Sequence, residues 1–195
     1  MKFTLITGAS SGIGAMYARL SAQAGQNIIL VSNQPQQLEQ VAAEISSLYN
    51  VEVRVIDIDL SAADAAQQIY DQAKQWGEVD ILISNAGVLH CGQFKNTNAK
   101  YIDFITALHC TTPMKLCLLF GGDMVARGEG KILIMSSMTA WTPYPTMSLY
   151  GSTKVLLKNF AQSLWYEMRR SGVSVTTVYP GAVDTPLYNL SDSKR

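Results

Sequence analysis

At 195 residues the chain has room for one domain with a substantial core and is short for two independent ones. Fifteen Lys and Arg balance fifteen Asp and Glu, the pI is near 6.7 and no basic run occurs, so nucleic acid and acidic membrane surfaces are excluded as expected partners. Three cysteines, Cys91, Cys110 and Cys117, form an odd set without CxxC spacing, which argues against a disulfide framework.

Short β-branched runs alternate with helical patterns from the first residue onward. The runs cover 2–6, 27–32, 51–57, 79–84, 131–136 and 173–179, and the helical stretches lie near 13–24, 36–48, 62–75, 98–127 and 148–170. This order predicts parallel strands joined by crossover helices. Several strands are apolar without strict alternation, as expected when helices cover both faces of a sheet. There is no repeat, linker or low-complexity tract. The opening apolar run breaks at Gly8, too early for a signal-peptide core, and stretches such as LCLLF fall short of membrane-spanning length. The chain therefore reads as soluble and cytoplasmic, with no membrane span.

The first strand runs into TGASSGIG, residues 7–14, and then a helix. Gly8, Gly12 and Gly14 let the chain turn tightly and bring backbone N–H groups to a phosphate at the helix N-terminus. An ordinary glycine-rich turn is the other reading, but the strand, turn and helix context favours a dinucleotide. Ser61 followed by Asp64 predicts a capping box for the third helix. The tripeptide LHC occurs at 89–91 and 108–110, yet His90, Cys91, His109 and Cys110 lack metal-ligand spacing, and no metal site is expected.

Two stretches, QIYDQAK (68–74) and SLYGSTK (148–154), place a tyrosine four residues before a lysine. With nine of each residue type in the chain, about 0.4 such pairs arise by chance at ordinary frequencies, so spacing alone decides nothing. Tyr70 and Lys74 precede the WGEVD turn, at the edge of the sheet opposite the strand carboxyl ends, and read as a surface pair.

The TGxxxGxG spacing resembles the short-chain dehydrogenase/reductase family, and further motifs follow in order along 2–188. The resemblance implies an α/β, Rossmann-type doubly wound parallel sheet forming a single dinucleotide-binding oxidoreductase domain over 1–195. It implies that Ser10, Ser11 and Ile13 join the glycines at the cofactor and that Asp59 and Leu60 contact the adenine. Asn85, Ala86 and Gly87 resemble the motif that lines the cofactor cleft. Pro180, Gly181, Val183 and Thr185 of YPGAVDTP resemble the segment that faces the nicotinamide.

In that family the reactive tyrosine and lysine open the fifth helix, with a serine closing the strand before it. Ser137 stands 13 residues before Tyr150, whereas Asp57 stands 13 before Tyr70, so the resemblance assigns catalysis to Ser137, Tyr150 and Lys154. The chemistry is proton supply: a carbonyl that accepts a hydride becomes an alkoxide, and a positioned acid speeds the step. A lysine ammonium one turn away is expected to lower the tyrosine pKa from about 10, while Ser137 holds the substrate oxygen and Lys154 the nicotinamide ribose.

His109 falls where the family usually has an asparagine whose backbone carbonyl holds a relay water. Pro113 has no N–H to bond the carbonyl of His109, so the relay could persist through the backbone. The other open reading is a weakened or inactive enzyme. Ser32 and Asn33 end the second strand with neither the acid of NAD binders nor the arginine of NADP binders, which favours NADP with NAD still possible. Met138, Trp141, Tyr144 and Met147 either line an apolar pocket or simply pack. The implied substrate is an apolar ketone or secondary alcohol, such as a 3-oxoacyl thioester or a steroid-like ketone. The implied assembly is a homodimer or homotetramer through helices four and five. The sequence ends soon after the PGxxxT segment, where the family continues with a substrate-covering segment and a seventh strand, so six strands are expected. The rival functional reading is a non-catalytic nucleotide-binding scaffold or sensor.

Overall fold

In the computed structural model, which describes residues 1–189, the backbone forms one parallel sheet in the order β3-β2-β1-β4-β5-β6. The strands are β1 (Lys2–Thr7), β2 (Asn27–Ser32), β3 (Val53–Asp57), β4 (Glu78–Ser84), β5 (Gly130–Met135) and β6 (Val173–Val178). Between them run α1 (Gly12–Gln23), α2 (Pro35–Leu48), α3 (Ala65–Trp76), α4 (Ala99–Arg127) and α5 (Ser148–Met168). The predicted doubly wound architecture is the one observed.

The pleat explains the apolar strands. Phe3 and Leu5 join Ile29 and Val31 in the core under α3, α4 and α5, while Ile6, Ile28 and Leu30 point to the core under α1 and α2. Each of these side chains is at most 1% exposed, and each such burial stabilises the fold by roughly 1.5–3 kcal/mol. The first three strands step outward one way from β1 and the last three the other way from β4. That reversal opens a crevice beyond the carboxyl ends of β1 and β4.

Three local expectations change. The third helix begins at Ala65, and its N-cap Asp64 makes no side-chain cap bond. Ser61 instead turns back on Asp59, whose Oδ1 accepts from the Ser61 backbone at 2.9 Å and from its hydroxyl at 2.8 Å. A local side-chain turn has outcompeted the cap. Tyr70 and Lys74 form more than a surface pair: both donate to the Asp123 carboxylate of α4, at 3.1 and 2.8 Å, with Tyr70 packed on Phe120.

The third change lies in α4, whose 29 residues carry a window of mean hydropathy 1.3 and, by length and composition alone, could cross a membrane. More than half of that window is buried, with Leu116, Cys117, Phe120 and Met124 in the core, so this is a core helix. It also contains a π turn, Ala107–Thr111, just before Pro113. Proline cannot bond the carbonyl four residues back, and the helix widens where that bond is missing.

Candidate active site

β1 delivers the chain to the crevice at Thr7, and Gly8 turns it at φ 67°, with its N–H bonded to the Val31 carbonyl at 2.8 Å. A side chain there would be strained and would also stand 2.8 Å from the Ala86 Cα. Gly14 has no such angle, but a β-carbon on it would lie 2.1 Å from the Gly8 carbonyl oxygen, so only glycine lets α1 approach the turn. The N-cap Ser11 makes no side-chain cap bond and the first turn of α1 has no acid. The helix N-terminus thus keeps its positive end open to an anion.

Thr7 ties this turn to the end of β4. Its hydroxyl accepts from the backbone N–H groups of Asn85 and Ala86 at 2.9 and 3.0 Å, and the Asn85 amide donates to the Thr7 carbonyl at 3.0 Å. At the β2 end, the Ser32 hydroxyl donates to Ser10 at 3.0 Å and Ser10 to the Gln34 side-chain oxygen at 3.1 Å. No carboxylate takes part in that chain.

Ser137, Tyr150 and Lys154 converge from the end of β5 and the first turns of α5. All three are buried, at 8%, 8% and 4% exposure. The Ser137 oxygen accepts from the Thr139 N–H at 3.2 Å, which leaves its proton to donate elsewhere. The Lys154 ammonium donates to the Met135 carbonyl at 3.1 Å, and the Lys154 carbonyl accepts from Ser136 at 2.9 Å, so strand and helix hold each other in register.

The electrostatics of the pair depart from expectation. Burial raises the Tyr150 phenol above its ordinary value, opposed by a hydrogen bond with Ser137 that lowers it. The Lys154 nitrogen lies 5.6 Å from the Tyr150 ring centroid. Desolvation pushes the ammonium itself down to about 8. For both groups loss of water is the largest cause of the shift.

These pieces border one cleft of about 820 Å³. Of the sequence-predicted residues, Gly8, Ser10, Ser11, Gly12 and Ile13 line its floor, Ser32, Asn33, Asp59 and Leu60 one end, and Asn85, Ala86 and Gly87 its middle. Ser137, Tyr150 and Lys154 stand at the other end, facing Pro180, Gly181, Val183 and Thr185. Thr185 closes over the turn, its Cβ 3.3 Å from where a β-carbon on Gly12 would sit. Gly14 alone stays outside, as a spacer beneath the turn.

A sequence model of the family described as short chain dehydrogenase matches residues 2–195. The chain belongs to the short-chain dehydrogenase family. The very-long-chain 3-oxoacyl-CoA reductase of Homo sapiens is 32% identical over 200 residues, which cover 97% of this chain and 62% of that protein. The chain therefore spans less than two thirds of that relative's length. Among solved structures, a short-chain dehydrogenase from Sphingobium yanoikuyae in complex with NADPH is similar at a TM-score of 0.92 and 31% identity, covering 97% of this chain and 74% of that one. The bulky-bulky ketone specific alcohol dehydrogenase from Comamonas testosteroni gives 0.90 and 31%, covering 94% and 74%.

In this chain the two readings left open for the apolar residues divide. Met138, Tyr144 and Met147 line the cleft, but Trp141 does not. Its ring packs on Tyr179 at 5.3 Å and under the Lys158 ammonium at 4.1 Å, at the end of the short helix Met138–Ala140. Sequence reasoning missed Phe104 and Leu108, which reach the cleft from α4, and Gln34 and Gln37 from the start of α2. A helical pattern shows which residues are apolar, not which turn of the helix meets a cavity. The departure at His109 is buried at 1% exposure and occupies the π turn.

Proposed function

We propose that the chain is an NADP(H)-dependent oxidoreductase that moves a hydride between the nicotinamide and an apolar ketone or secondary alcohol, with Tyr150 as general acid and base. The observation that carries this reading is the opening of Ser137, Tyr150 and Lys154 onto the same cleft as the glycine turn of α1.

The residues fit the cofactor. The open N-terminus of α1, with Ser10, Ser11 and Gly12, suits a pyrophosphate, and Asp59 and Leu60 border the place for an adenine. Ser32, Asn33 and Gln34 present neutral polar groups where a carboxylate would repel a 2′-phosphate, which supports NADP over NAD without barring NAD. The NADPH in the Sphingobium relative supports the same choice. When bound, the nicotinamide supplies or accepts the hydride at the substrate carbon.

The chain's own residues handle the proton. Ser137, held by the Thr139 N–H, donates toward the substrate oxygen, and Tyr150 stays protonated at neutral pH and delivers its phenolic proton as charge builds there. Lys154 keeps a cation one turn away and has further donors free for the ribose. Phe104, Leu108, Met138 and Met147 exclude water and suit an apolar substrate, with the named substrates of the human and Comamonas relatives pointing to 3-oxoacyl thioesters and bulky ketones. Leu118 on α4 and Leu156 and Trp165 on α5 are exposed apolar residues that suit pairing of these helices in a homodimer or tetramer, measurable as mass by light scattering. A monomer at all concentrations would remove that part of the reading.

NADPH oxidation against a panel of apolar ketones tests the proposal, with cofactor binding measured by fluorescence on the same samples. Tyr150→Phe should lower turnover by about 10²- to 10⁴-fold while still binding NADPH. Binding without turnover in the wild type would favour the scaffold or sensor reading instead.

A further inference from the structure

A buried histidine whose two ring nitrogens are both engaged is confined by its partners to one protonation state, and His109 meets that condition. Its Nε2 lies 2.9 Å from the backbone N–H of Val88, just past Gly87 in the loop after β4. Its Nδ1 lies 2.9 Å from the Thr153 hydroxyl, and that hydroxyl donates to the Tyr150 carbonyl at 2.7 Å. A hydroxyl has one proton, so Thr153 must accept from Nδ1–H and Nε2 must offer its lone pair to Val88. The ring is neutral.

The packing is matched to that role. The π turn puts His109 inside, where its ring meets the Tyr150 ring nearly edge-on, with centroids 5.8 Å apart at 78°. A β-carbon at Gly87 would stand 3.0 Å from Nε2, so glycine leaves the ring its place. Tyr150 and Lys154 face the ring from α5, Cys110 is its neighbour on α4, and the loop after β4 presents backbone at Gly87 and Val88. Burial, then the positive Lys154, hold the imidazole well below its ordinary pKa.

We propose that His109 is a positioning residue whose neutral Nδ1–H ring ties the Val88 loop to the turn of α5 that carries Tyr150 and Lys154. The proposal rests on the reading of Tyr150 as general acid. Val88 and Tyr150 both line the cleft, so the two bonds fix the distance between its middle wall and the proton donor. An error of about 1 Å in such a distance can cost 10²-fold in rate.

Two measurements test it. The chain has two histidines, so long-range ¹⁵N–¹H correlation spectra, assigned with His109→Gln, identify the tautomer in the wild-type protein. The Nδ1–H form should persist unchanged from about pH 6 to 8; an Nε2–H form, or titration near the ordinary value of about 6.5, would overturn the proposal whatever the activity. In kinetics, Thr153→Val and His109→Gln should each lower kcat about 10- to 100-fold with little change in the KM for NADPH. The double variant should fall no further than the worse single one, and Thr153→Ser should recover the rate. Additive losses, or losses in cofactor KM alone, would overturn it. An inert wild type would defeat the oxidoreductase reading, while the spectra would still decide the state of the ring.

Discussion

A lysine at 4% exposure has lost nearly all its hydration, and the Lys154 ammonium is pushed down to about 8 despite its bond to the Met135 carbonyl. In the unfolded chain the same group titrates near 10.5, so between pH 8 and 10.5 the unfolded state holds more protons and stability rises with pH. Below pH 8 the full cost of the buried charge is present, roughly 3 kcal/mol. Lys154→Met should therefore stabilise the protein at neutral pH by about 2–3 kcal/mol in urea unfolding, while turnover drops about 100-fold or more. A less stable variant would show that the charge contributes more through its hydrogen bond than it loses in hydration. Turnover of the wild type should also fall as pH rises through about 8, where the ammonium loses its proton. That Ser137, Tyr150 and Lys154 stand at one cleft was legible only through the family resemblance, in which a strand-end serine precedes the tyrosine by this interval. The direction of the Tyr150 shift was not, because burial is set by distant residues and local spacing shows only the neighbouring charge.

At the scale of elements, α3 and α4 are fastened by a contact that no local pattern announces. Asp123 accepts from Tyr70 and Lys74 across 53 and 49 residues of sequence, and the pair that reads as surface decoration is a clamp. Lys74 and Asp123 are 44% and 29% exposed, so their ion pair alone is worth little. The half-buried Tyr70 hydroxyl is the larger stake, since removing its acceptor leaves it unpaired. Asp123→Ala should cost about 1–2 kcal/mol in thermal or urea unfolding and leave NADPH affinity unchanged, because the clamp does not border the cleft. Weaker cofactor binding in that variant would show that α4 transmits strain to its π turn. The start of α3 was misread for a related reason: Ser61 had a nearer partner in Asp59, and a cap motif cannot show which competitor wins.

At the scale of the molecule, alternation of short apolar runs with helical stretches made the parallel sheet legible, and the motifs at the ends of β1 and β4 fell at its switch point. The half of the cleft around the glycine turn follows from that topology, since its residues sit at strand ends. The other half is built from helix faces and loops, which is why the sequence left Trp141 open between pocket and packing and missed Phe104 and Leu108. The central claim is that this cleft brings a hydride and the Tyr150 proton to one carbonyl. Incubation with NADPH carrying deuterium at the transferable position, a bulky apolar ketone as acceptor and mass spectrometry of the alcohol tests it most directly. The account predicts one deuterium on the carbinol carbon with wild type and loss of most of that product with Tyr150→Phe. Labelled NADPH bound but unconsumed, or equal labelled product from both proteins, would contradict it.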